Sequence, residues 1–112
     1  MFQKSDEPAV LVYRLTATFP ADERFELRSQ IRRAATSTPT NIVEGCARET
    51  QRDYLRFLDI ALGSANELAY LLHLAGRLSI MKPEEIEDCK KFALDVVRML
   101  QKLITTLRHQ DA

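Results

Sequence analysis

The residues equipped for chemistry are concentrated in one stretch, QIRRAATSTPTNIVEGCAR, at positions 30–48. Gln30, Arg33, Ser37, Asn41, Glu44 and Arg48 recur at steps of three and four, so on a helix they form a single polar stripe. Beside it runs an apolar stripe of Leu27, Ile31, Ala34, Thr38 and Ile42. Glu44 with Arg33 or Arg48 is the arrangement from which acid–base chemistry could be built, but no nucleophile or metal ligand accompanies it. Elsewhere there is no Gly-rich phosphate loop, GxSxG, HExxH or CxxC. His73 and His109 have no Cys or Asp at triad or metal spacing, and the ExxH pairs of di-iron bundles are missing. Cys46 and Cys89 fit neither a zinc site nor a disulfide framework, which points to two reduced thiols in a cytoplasmic protein. The expectation is therefore a protein that is not an enzyme, with no metal, no cofactor and no small-molecule substrate.

Two readings of the polar stripe stand side by side. In the structural one, Gln30, Arg33, Ser37, Asn41 and Glu44, with Arg56 and Glu67 further on, form a hydrogen-bonded network that locks two helices together. Glu44 then pairs with an arginine, and Asn41 or Ser37 satisfies the Ala35 carbonyl that Pro39 leaves without its usual donor. In the functional one, some of these groups face a groove or a subunit interface and contact a ligand. Arginines cluster in the same region, at 24, 28, 32, 33, 48, 52 and 56, against Glu26, Glu44, Glu49 and Asp53. Arg28, Arg32, Arg33, Arg48, Arg52 and Arg56 are the candidate nucleic-acid contacts. So modest an excess binds phosphate weakly in one copy and more strongly when repeated around an oligomer.

The elements that must position these groups read as four helices. Residues 6–19 form the first, with Asp6 or Ser5 as N-cap, Pro8 in the first turn and Phe19-Pro20 as its end. Ala9, Val12, Thr16 and Phe19 face inward. Residues 22–48 form the second. The cluster TSTPTN could split it, but the apolar stripe keeps phase across Pro39, which favours one helix kinked at that proline. Thr50 caps the third, residues 51–78, with Asp53 at the third helical position. Its heptad seam is Tyr54, Leu58, Ala61, Ala65, Leu68, Leu72 and Ala75, and a second row runs Phe57, Ser64, Leu71 and Leu78. Gly63, in mid-helix, implies the close approach of another backbone from the same subunit or a neighbour. Pro83 opens the fourth, residues 83–108, and Glu84, Glu85, Glu87 and Asp88 suit its positive end.

Short connections make these an antiparallel, up-down-up-down four-helix bundle occupying residues 1–112 as one domain. At 112 residues, 46% hydrophobic and 29% charged, the chain can bury a core without staples. Lys plus Arg and Asp plus Glu are 16 each, so net charge exerts no general pull toward nucleic acid or membrane. No apolar run approaches the roughly 18 residues of a membrane span, and MFQKSDEPAV lacks a signal peptide's layout. The apolar rows and Gly63 on the third helix offer more contact surface than one bundle uses, which predicts self-association.

SQIRRAATSTPTNIVEG, followed by RFLDIALGSANEL, closely resembles a four-helix-bundle family, some of whose members are encoded in intervening sequences of bacterial 23S ribosomal RNA genes. Gln30, Arg33, Ser37, Pro39, Asn41, Glu44 and Gly45 match its first motif. Arg56, Phe57, Leu58, Ala61, Gly63, Ser64 and Glu67 match its second. Thr38 and Thr40 depart from it, standing where an aliphatic residue and a Ser or Ala are usual. The resemblance implies a bundle whose second helix continues through the proline, assembly as a ring-like homopentamer, and no established enzymatic activity. Together with the arginines it implies binding of RNA or a ribonucleoprotein. The rival reading is a scaffold that binds only protein.

Overall fold

A computed structural model describes residues 2–16 and 25–111, and among these the secondary structure is entirely helical. α1 spans Phe2–Thr16, α2 Phe25–Cys46, α3 Gln51–Arg77 and α4 Pro83–Asp111. Each helix packs on its neighbours in the chain and α1 closes onto α4, while the diagonal pairs show no close backbone approach among the described residues. This is a four-helix bundle, about 49 Å long and 20 Å across. Ser37 meets Ser64, whereas Gly45 further along α2 faces Tyr54 and Phe57, so α2 and α3 run in opposite senses. Gly76 against Ile86 and Asp59 against Arg108 show the same reversal between α3 and α4.

α1 begins earlier than its sequence suggests. The turn from Phe2 precedes Pro8, so Pro8 sits inside the helix and not in its first turn. A proline there removes the bond to the carbonyl of Lys4. Its ring is buried beside Ala35, Thr38, Ala65 and Leu68, and that burial offsets the loss. The expected end at Phe19-Pro20, and the inward Phe19, lie outside the described residues.

α2 is one helix, uninterrupted through Pro39. The Ser/Thr-rich cluster does not break it, because its side chains bond back onto their own helix. Thr36 Oγ1 donates to the carbonyls of Arg32 at 3.0 Å and Arg33 at 3.2 Å. Thr38 Oγ1 donates to Ala34 at 3.2 Å, which satisfies the one buried polar side chain among the described residues. Thr50 caps α3 by accepting the Asp53 N–H at 3.2 Å. α3 ends in a Schellman motif, with Ser79 N–H bonded to Gly76 and Ile80 N–H to Ala75, both at 3.0 Å.

The core has two parts. One gathers Val12, Ile31, Leu68, Leu72, Ile86 and Cys89, with their neighbours, from all four helices. The other, among the described residues, gathers Ile42, Leu58, Ala61, Val96, Leu100 and Ile104 from α2, α3 and α4. The two parts meet at a level filled by Pro8, Thr38, Leu68, Val96 and the small side chains of Ala35, Ala65 and Ala93. The heptad seam of α3 is buried as its spacing predicts, except that Tyr54 is half-buried; in the second row Leu71 is buried, Phe57 and Ser64 are half-buried, and Leu78, which caps the helix, is exposed.

Candidate functional site: a polar stripe and two arginine clusters

The polar stripe of α2 lies along its border with α3. Its centre is a short hydrogen-bonded chain. Asn41 Nδ2 donates to the Ser37 carbonyl at 2.8 Å and to Ser37 Oγ at 3.0 Å, and Ser37 Oγ shares a 2.8 Å bond with Ser64 Oγ. Asn41 therefore serves Ser37's carbonyl and not that of Ala35. A helical side chain points back one turn, so from position 41 it reaches position 37 and no further. Ser64 was legible as a member of the second row of α3, seven residues from Phe57 and Leu71, and as a residue of the second matched motif, but not as the partner of Ser37.

Glu44 pairs with Arg48 at 3.4 Å on the surface, and Arg48 Nε also donates to the Glu44 carbonyl at 3.2 Å. Gln30, Arg33, Arg56 and Glu67 share no hydrogen bond or ion pair with this centre among the described residues. Gln30 is half-buried and the other three are exposed.

Gly45 allows the closest approach of α2 to α3. A Cβ there would stand 2.9 Å from Tyr54 Cδ1 and 3.1 Å from Phe57 Cβ. Gly63, whose mid-helix position suggests such a contact, has nothing within 4 Å of a Cβ. Its side of α3 opens to solvent, with Ile60 46% and Tyr70 62% exposed nearby. Within one copy, the close approach expected at Gly63 is absent and belongs to Gly45.

The six candidate arginines do not form one patch. Arg28, Arg32 and Arg33 lie near the start of α2, where with Tyr13, Ser29 and Thr36 they line a notch of about 370 Å³ between α1 and α2. The Arg32 guanidinium sits 4.9 Å from the centre of the Tyr13 ring. Arg48, Arg52 and Arg56 lie where α2 gives way to α3. There Arg48 and Arg56 approach the Phe57 ring at 5.3 Å and 5.1 Å. Roughly 20 Å of helix separates Arg33 from the end of α2. Sequence spacing hid this division, and Tyr13 carried no signal of its part before α1 was placed on α2.

The remaining titratable groups offer little chemistry. Cys46 is exposed and Cys89 buried, both as free thiols. Burial, aided by Asp88 and Glu85, pushes the Cys89 thiol up to about 11. Burial also raises the Tyr54 hydroxyl, with a smaller contribution from Cys46. No group of three or more metal-ligating side chains occurs among the described residues, and no described helix is long and apolar enough to cross a membrane.

Residues 1–102 match the family model described as 23S rRNA-intervening sequence protein. The chain belongs to that family. A crystal structure of a protein of unknown function from the S23 ribosomal protein family of Bacteroides thetaiotaomicron is similar at 31% identity and a TM-score of 0.85. The match covers 92% of this chain and 96% of that one. No curated protein matches. Of the residues that carry the resemblance to the 23S rRNA-intervening sequence protein family, Ser37, Gly45 and Ser64 join α2 to α3, Asn41 braces Ser37 from within α2, and Arg33, Gly63 and Glu67 face outward.

Proposed function

We propose that this member of the 23S rRNA-intervening sequence protein family is a non-enzymatic, self-associating bundle that binds RNA or a ribonucleoprotein through its arginines. The observation that carries the reading is the seating of two arginine clusters against aromatic rings, Tyr13 and Phe57. Arg33, Arg52 and Arg56 pair with no carboxylate among the described residues, which leaves their charge to outside phosphates. Filter binding of structured RNA across a salt series tests it. Retention at about 50 mM salt that falls steeply as salt rises is expected, and no retention at that salt overturns the reading.

The exposed face of α3, with Ile60, Gly63, Glu67 and Tyr70, supports self-association, and the family resemblance implies five copies. Light scattering that gives a monomer at micromolar concentration would overturn this part. The pairing of Glu44 with Arg48 argues against a catalytic carboxylate. We place the protein in the cytoplasm, where both thiols stay reduced.

A protein-only scaffold is the second reading. It is favoured by a mostly apolar groove of about 470 Å³ between α1 and α2, lined by Ala9, Val10, Pro39 and Val43 among others. Pull-downs that still recover a protein partner after nuclease treatment would favour it.

A further inference from the structure

We infer that the α1/α2 notch receives an unpaired nucleotide of single-stranded RNA, its base stacked at Tyr13 and its phosphate held by Arg33 at the start of α2. The inference rests on the proposal that the protein binds RNA, and it assigns that binding to one of the two arginine clusters.

Three observations separate this cluster from the one at Phe57. The first is concavity: Arg28, Ser29, Arg32, Arg33, Thr36 and Tyr13 line an open notch of about 370 Å³. The second is the state of the ring. Tyr13 is 46% exposed and has the Arg32 guanidinium 4.9 Å from its centre. An arginine held against a tyrosine presents a flat cationic and aromatic surface, the kind on which unstacked bases settle. Phe57, by contrast, is half-buried with two guanidiniums near its ring, one of them also tied to Glu44. The third is the polar complement. Ser29 is exposed at the rim, and Thr36, having donated its hydroxyl proton to the Arg32 and Arg33 carbonyls, keeps oxygen lone pairs for a base or ribose donor. The exposed Arg33 supplies positive charge beside the ring.

A duplex does not suit this notch. Its bases are stacked and its outer surface is phosphate and sugar, so it would meet the arginines but leave the ring unused. Single strands supply both parts.

Fluorescence anisotropy tests the assignment with a labelled single-stranded RNA dodecamer and a hairpin duplex as probes, on the full chain. Loss of one stacked base corresponds to roughly a 5- to 150-fold weaker Kd. Tyr13→Leu is expected to weaken the single strand within that range and the duplex little, while Tyr13→Phe keeps both. Arg33→Gln should lower the salt slope on the single strand by about 0.7, and Arg52→Ala should matter less than Tyr13→Leu. Circular dichroism of Tyr13→Leu checks that the bundle still folds; should it not, the Tyr13→Phe, Arg33→Gln and Arg52→Ala results decide. If the native chain binds neither probe, RNA binding itself falls. If it binds and Tyr13→Leu binds equally well, or if Arg52→Ala costs more affinity than Arg33→Gln, only the assignment to this notch falls.

Discussion

Ser37 and Ser64 share a hydrogen bond of 2.8 Å across the α2/α3 interface, and Asn41 secures the Ser37 end of it. Both hydroxyls are half-buried, so truncating one leaves the other only partly able to turn to water. Ser37→Ala and Ser64→Ala should each lower stability by about 1 kcal/mol. The double variant should lose less than the two losses combined, because the second truncation removes a group already without its partner. Urea melts of the four proteins measure that coupling, and strict additivity would count against the bond.

The two glycines of the matched motifs should respond in opposite directions. Gly45→Ala puts a methyl group 2.9 Å from the Tyr54 ring and 3.1 Å from Phe57 Cβ, and overpacking of this kind costs about 1–3 kcal/mol. Gly63→Ala meets nothing within 4 Å and should raise helix stability by about 0.5–1 kcal/mol. Thermal melts distinguish them. If the α3 face closes on a second copy, Gly63→Ala should also weaken assembly in light scattering while the melt of the dissociated chain improves.

Ser79 holds a left-handed backbone, with φ of 58°, at the position where the Schellman motif usually has glycine. Ser79→Gly relieves that conformation and should stabilise the protein by about 1 kcal/mol, read as a higher urea midpoint with unchanged slope.

Cys89 is buried, and its thiol is pushed up to about 11 from an ordinary 9.0. Below pH 9.0 the folded and unfolded chains both hold the proton, and this group's contribution to stability is complete. Between 9.0 and about 11 the unfolded chain ionises first, so stability falls as pH rises. Cys89→Ala should flatten that part of a stability–pH curve, although it also lowers the whole curve by leaving a cavity. Alkylation at pH 8 should modify the exposed Cys46 quickly and Cys89 only as the chain unfolds.

Helical periodicity carried most of the architecture into the sequence. The seam of α3 and the capping of α3 by Thr50 were legible because burial and local hydrogen bonds follow spacing directly. The start of α1 was not, since Pro8 ordinarily marks a first turn and only tertiary burial keeps it in the interior. Gly45 and Gly63 look alike in sequence, and which of them faces a neighbour depends on how α2 lies on α3. The arginines looked like one patch because sequence distance ignores the length of α2, and the notch needed α1 laid beside α2 to bring Tyr13 to Arg32. Fold followed from local pattern; the candidate site depended on contacts between distant segments.

The division of the core has a consequence for how the molecule opens. Among the described residues, Leu72 lies in the part shared by all four helices and Leu100 in the part built from α2, α3 and α4, and the two parts meet at alanines, Thr38 and Pro8. Mostly short side chains fill that level, with Leu68 and Val96 the larger groups that meet there, so the two ends have separate reserves of cohesion joined by four continuous helices. Amide exchange should therefore reveal two subglobal openings along the length of the bundle, with its waist as the boundary between them.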